Sequence, residues 1–285
     1  MTASAGPRTV AILGPGAVGG ALAVPLAIAR QQVVCVAREE TAEAITRDGL
    51  TLVRRGEEFH AHPSATDVLR DDVDLLLIAV KAPSLDDALD RIQASAATIV
   101  PLLNGLEHMS RIRARFDGRV VAGSIGLLEA YREAPTRIVQ TTRGPVISVA
   151  EPVEIPAFDV RVVGDERRLL WEKAARMAPL AAATAATQRS VGDLRTDPEW
   201  RSRLALAIEE ACATATADGV PLSPSGQWEV IDAMPDAMTT STARDVAARR
   251  PSELDAITGS VVRAARRLHV PAPTLEQLLE EAWRA

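Results

Sequence analysis

Ala11-Ile12-Leu13-Gly14-Pro15-Gly16-Ala17-Val18-Gly19-Gly20 joins an apolar run, Thr9–Leu13, to a segment with helix-forming composition. Glycines at positions 14, 16 and 19 each suit a different need. Gly14 would permit a tight turn out of the strand. Gly16 would let the backbone approach a pyrophosphate, and Gly19 would let the following helix pack close to the strand. That helix, over about 17–29, would aim its free N–H groups at the phosphate. Glycines at this spacing also make plain turns. Here strand, loop, helix and a second strand at 33–37 follow in order, which marks a dinucleotide-binding unit with Pro15, Ala17 and Val18 completing the loop.

Strand candidates continue at 75–80, 97–101 and 120–125, with helices near 40–48, 84–93 and 106–115. The strands are continuous apolar runs, as in a parallel sheet covered by helices on both faces. From 132 to 163 the pattern shortens and alternates around Gly144, Pro145, Pro152 and Pro156. That reads as antiparallel strands appended to the sheet edge. Beyond Gly164 the chain turns helical. One helix spans 166–187. A second starts at Asp197-Pro198-Glu199, a cap followed by a first-position proline, and ends at Gly219. A third starts near Ser252-Glu253-Leu254-Asp255, a capping-box pattern, and stops before Pro271. The fold class is therefore α/β: a Rossmann-type dinucleotide-binding domain over 1–165, then an all-helical domain over 166–285. Substrate is expected in the cleft between them.

Composition narrows the function. The chain has 285 residues, is 47% hydrophobic and carries a formal charge of -6. It is large enough for two cores, and its acidity argues against a general nucleic-acid binder. No segment is long and apolar enough to cross a membrane, and the N-terminus lacks the pattern of a signal peptide. Cys35 and Cys212 are isolated and read as reduced, buried thiols in the cytoplasm. His60 and His62 read as one face of an exposed strand or loop rather than a metal site.

Of 32 basic residues, only Lys81 and Lys173 are lysines; all the others are arginines. Asn104 is the only asparagine. Where arginine has met every general need for a cation, a surviving lysine marks a place that needs a proton given up. The alternative is chance survival on the surface.

The chain resembles the ketopantoate reductase (2-dehydropantoate 2-reductase) family over nearly its whole length. The resemblance rests on the glycine run 14–20, Val36-Ala37-Arg38, Val80-Lys81-Ala82, Leu103-Asn104-Gly105-Leu106, Leu170-Trp171-Glu172-Lys173, Thr184-Ala185 and Ser252-Glu253-Leu254-Asp255. Both lysines and the only asparagine occupy its motif positions.

The resemblance implies an NADP(H)-dependent oxidoreductase that reduces a 2-oxo acid. Lys173 would be the general acid, and Glu253 would act beside it and the nicotinamide. Lys81 would hold the ribose or nicotinamide end, and Asn104 would bridge cofactor and substrate. Glu129 aligns with a position whose backbone touches cofactor. Ser241, with Thr240 and Thr239 before it, matches the substrate-carboxylate region. Each has a plainer reading: Lys173 as a solvated lysine, Asn104-Gly105 as a turn, Glu253 as a first-turn acid complementing a helix dipole, and the hydroxyls as a cap for a helix near 243–248. Arg38 follows the second strand, where an arginine accommodates a 2′-phosphate. Glu39 and Glu40 come next, and an acidic side chain there could take the ribose instead.

Two departures bear on substrate. The family's pocket asparagines, four and eight residues after the lysine, are here Met177 and Ala181. A third polar pocket position is Val191, and an extra Pro179 would bend the helix. Lost donors weaken binding of a hydroxylated substrate. The leading expectation is a ketopantoate-type reductase. The alternatives are a relative acting on a less polar oxo substrate and a non-catalytic NADP-binding sensor. A homodimer is compatible with the family.

Overall fold

The computed structural model describes residues 7–126 and 128–285. Residues 1–6, on which the reading against a signal peptide partly rests, and Leu127 lie outside this description. The chain forms two compact units. One runs to Leu103 and resumes over Met109–Glu166; the other comprises Asn104–His108 and Arg167–Ala285. Sequence reading left 104–108 with the first unit. They join the second because Gly105, at φ +89°, packs its Cα so closely that a Cβ would meet Ala256 O at 2.0 Å. Glu107 also accepts two bonds from Arg263, at 2.9 and 2.8 Å.

The strands of the first unit are β1 (Thr9–Leu13), β2 (Gln32–Val36), β3 (Leu50–Arg54), β4 (Glu57–Ala61), β5 (Ser64–Thr66), β6 (Val73–Ile78), β7 (Ala96–Pro101), β8 (Arg119–Val120), β9 (Gly123–Gly126), β10 (Ala130–Ala134), β11 (Arg137–Gln140), β12 (Val146–Val149) and β13 (Val160–Val162). Its helices are α1 (Ala17–Ile28), α2 (Glu39–Asp48), α3 (Leu85–Leu89) and α4 (His108–Arg113). A six-stranded parallel sheet has the order β5-β2-β1-β6-β7-β8. The chain leaves β1 toward β2 on one side and later returns to β6 on the other. The carboxyl ends of β1 and β6 therefore diverge, and this is where open α/β sheets bind ligands.

Helix α1 is buried at Gly19–Val24 and Leu26, and it shares a core with Val10, Ile12, Leu75, Ile138 and Ile147. A helix apolar all round must be enclosed. Its other cover comes from a four-stranded sheet, β10-β11-β3-β4, where Ile138 reaches Gly20 so closely that a Cβ there would lie 2.6 Å from Ile138 Cδ1.

The expected edge strands at 132–163 are a correction. β10 and β11 pair with β3 and β4, while β12 and β13 join β9 in a separate three-stranded sheet. Both sheets mix parallel and antiparallel pairs. The strand expected at 120–125 likewise breaks between β8 and β9, and the chain changes sheets there. His60 belongs to β4, opposite Thr51, with 3.0 Å between Thr51 Oγ1 and His60 Nδ1. Among the described residues no cluster of three metal-ligating side chains occurs, and no helix is long and apolar enough to cross a membrane.

The second unit is helical: α5 (Glu166–Thr187), α6 (Val191–Thr196), α7 (Pro198–Ala217), α8 (Pro224–Asp232), α9 (Ser241–Ala247), α10 (Ser260–Arg267) and α11 (Pro273–Arg284). Residues Asp255–Gly259 form a π-helical turn before α10. Asp197 caps α7 by accepting from the Glu199 and Trp200 amides, with Pro198 in the first turn, as its sequence implies. Ser252 does not cap the third expected helix. Asp255 is instead drawn to Arg263 at 2.8 Å. Helix α5 is continuous through Pro179. Trp171 anchors it, donating from Nε1 to Asp218 Oδ2 at 2.9 Å.

Candidate active site

In the first unit, Gly14 leaves β1 at φ +87°, a backbone conformation open to glycine but strained for side-chain-bearing residues. A Cβ on Gly14 would lie 2.5 Å from Val80 Cγ1, beyond β6, so this contact marks the switch point itself. A Cβ on Gly19 would lie 2.2 Å from Gly14 O. Around Gly16, by contrast, nothing lies within 4 Å of a built Cβ. Gly16 is the N-cap of α1 and offers no side-chain acceptor to the first-turn amides. Open space beside uncapped N–H groups fits a phosphate. Pro15 is buried, while Ala17 and Val18 are half-buried.

Arg38 is exposed and extended at the carboxyl end of β2, where it is the N-cap of α2. No carboxylate pairs with its guanidinium among the described residues. Glu39 and Glu40 occupy the first turn of α2, where acids complement the helix dipole. Arg91, which sequence reading passed over, donates to the carbonyls of Ala37 and Asp67 at 3.5 and 3.2 Å. Lys81 is exposed and extended after β6, and its carbonyl accepts from the Ser84 amide at 2.9 Å. Glu129 is half-buried, its carboxylate accepting from Thr141 Oγ1 at 2.7 Å.

In the second unit, Lys173, Met177, Ala181 and Thr184 fall at i, i+4, i+8 and i+11 of α5 and share one face. Lys173 and Met177 are half-buried, whereas Ala181 and Thr184 are fully enclosed. Burial pushes the Lys173 ammonium down to about 8, the Glu253 carboxylate pulling it up and Arg176 pushing it further down. Glu253 is 7% exposed and accepts from Asn104 Nδ2 at 3.1 Å. Asn104 thus makes both a turn and a polar contact. Glu253 lies just ahead of the π-helical turn, a backbone irregularity often found at functional sites. Thr258, within that turn, donates to Ala178 O of α5 at 2.8 Å.

Thr240 is committed elsewhere. Its hydroxyl caps α9, accepting from the Ala243 amide at 3.1 Å, and lies 2.7 Å from Thr184 Oγ1. The cap reading therefore holds for Thr240, while Ser241 remains exposed. Val191 is enclosed, its amide donating to Met238 O at 2.8 Å. Sequence reading also missed Gln227, which is 6% exposed and accepts from Arg176 at 2.9 Å. Cys35 and Cys212 are free and buried; burial pushes their thiols up to about 12 and about 11, so neither offers a thiolate.

The model of the family Ketopantoate reductase PanE/ApbA matches residues 10–150, and that of Ketopantoate reductase PanE/ApbA C terminal matches 165–282. The 2-dehydropantoate 2-reductase of Bacillus subtilis is 28% identical across 94% of both chains. A PanE/ApbA family ketopantoate reductase from Ralstonia eutropha superposes with a TM-score of 0.84 at 26% identity, covering 97% of each chain. D-mandelate dehydrogenase, solved with NADH and anilino(oxo)acetate, reaches a TM-score of 0.87 over 97% of each chain. At 17% identity that likeness is one of fold.

Proposed function

Because the chain belongs to the ketopantoate reductase family, we propose that it is an NADPH-dependent reductase of a 2-oxo acid. The observation that carries this reading is the buried Glu253 carboxylate, bonded to Asn104 at 3.1 Å and acting on the Lys173 ammonium. Carbonyl reduction needs a hydride and a proton. The bound nicotinamide supplies the hydride; the chain's own residues must supply the rest.

Lys173 holds the proton at Nζ and delivers it to the carbonyl oxygen as negative charge develops there. A pKa of about 8 suits this role, since a group that titrates near neutrality both holds and releases a proton. Arginine would keep its proton. Glu253 keeps the ammonium charged against the cost of burial, and Asn104 fixes the carboxylate by donating to Oε2. Ser241 and Asn104 are the polar groups proposed to face the substrate. The loop Gly14–Gly19, Lys81, Glu129 and Arg38 are proposed to hold the dinucleotide, with Arg38 facing its 2′-phosphate.

Met177 favours one variant of this reading. It cannot replace the water that a hydroxylated substrate sheds, so a less polar oxo acid than ketopantoate fits it better. The test is NADPH consumption with ketopantoate, apolar 2-oxo acids and neutral ketones. Turnover of oxo acids supports the reading. Tight NADPH binding without turnover of any carbonyl compound would overturn it in favour of a sensor.

A further inference from the structure

Arg176 is a half-buried cation that forms no ion pair, although the Glu172 carboxylate one turn back acts on it through space. It lies three residues beyond Lys173 on α5, so the two side chains emerge on neighbouring parts of one face. Its Nη1 donates to Gln227 Oε1 at 2.9 Å and to the Glu172 carbonyl at 2.8 Å. Both acceptors are neutral. Neither bond uses Nε or Nη2. Among the described residues no carboxylate lies within ion-pairing distance of the guanidinium. Glu172, the nearest acid in sequence, accepts instead from Arg168 at 2.8 Å.

The charges around Lys173 therefore do not cancel. Lys173 and Glu253 offset one another, Glu172 is taken up by Arg168, and Arg176 adds one positive charge that acts on Lys173. Desolvating an unpaired guanidinium is costly. Burial pushes its own pKa down, and the Glu172 carboxylate pulls it back only in part. Such a cost is recovered when a ligand brings the missing anion. A planar guanidinium held along one edge presents the other for two parallel bonds, a geometry that matches carboxylate.

Resting on the oxo-acid reductase reading above, we propose that Arg176, held by Gln227, anchors the substrate carboxylate and makes the site select 2-oxo acids over neutral ketones. The anchor adds charge recognition where Met177 offers no hydroxyl recognition. An apolar oxo acid needs the first and not the second.

The experiment compares the natural protein with Arg176→Met and Arg176→Lys. Two readouts are taken: NADPH-dependent turnover of 3-methyl-2-oxobutanoate and of its methyl ester, and calorimetric titration of oxamate, an unreactive carboxylate. Arg176→Met should raise KM for the acid by about tenfold or more, the size of a lost charge-assisted bond, with the ester nearly unchanged. Oxamate affinity should fall in parallel. Arg176→Lys should recover part of the acid's KM, because it restores charge without the fork. Equal KM changes for acid and ester would show a structural role for Arg176 and overturn the proposal, as would oxamate binding that ignores Arg176. If the natural protein reduces neither compound nor any other carbonyl compound of the panel above, the reductase reading fails. Oxamate then decides alone: binding that depends on Arg176 sustains the anchor, and its absence overturns it.

Discussion

Asn104 Nδ2 donates to Glu253 Oε2 at 3.1 Å, joining residues 149 positions apart in the chain. The bond closes because Gly105, the next residue, lets the turn press against Ala256 of the π-helical segment. The turn and the polar contact are thus one device. Arg263 reinforces it by bridging Glu107 and Asp255.

Gly105→Ala and Gly16→Ala should separate stability from binding. At Gly105 a methyl meets Ala256 O and a φ of +89°, so unfolding free energy should fall by more than about 2 kcal/mol. At Gly16 nothing obstructs the methyl, and the loss should be about 1 kcal/mol or less. Dinucleotide affinity should nevertheless drop by roughly tenfold or more for Gly16→Ala, because the methyl fills space proposed for phosphate. Chemical denaturation and fluorescence titration with NADPH check both.

Lys173→Ala should cut turnover by roughly 10²–10⁴-fold while cofactor binding survives. Lys173→Arg should remain poor, since charge returns without a transferable proton. In the natural protein the reductive kcat/KM should hold below about pH 8 and decline above it, as the depressed ammonium loses its proton. A pH–rate profile reads the break directly. Near-normal turnover in Lys173→Arg would show that charge alone matters there.

Arg38→Ala should raise the NADPH dissociation constant far more than that for NADH. The guanidinium is exposed and pairs with no described carboxylate, while Glu39 and Glu40 occupy the first turn of α2. Equal losses for both cofactors would remove the 2′-phosphate assignment.

Met177→Asn should shift the ratio of ketopantoate to apolar oxo-acid turnover toward ketopantoate. Adding Ala181→Asn should cost stability, because position 181 is fully enclosed and an amide there must displace packed atoms. Turnover ratios and thermal melts of the single and double variants measure the two effects. A double variant as stable as the natural protein would show that Ala181 borders usable space.

Much of the molecule was legible in its sequence because local physics and the tertiary structure agree there. The glycine loop, the apolar β1, β6 and β7, the Asp197-Pro198 helix start and α5 each carry their own signal. Lys173 and Asn104 stood out because the chain otherwise avoids lysine and asparagine. What only the tertiary structure decided are the partners separated along the chain. β3 and β4 join at Arg55-Gly56, both at positive φ, without the usual asparagine, and β3 then pairs with β11 more than eighty residues away. Arg176 reads as one arginine among many until Gln227 is seen to hold it without an ion pair to any described acid. Periodicity and capping act over a few residues. Sheet pairing and charge compensation depend on distant side chains, which only the folded chain brings together.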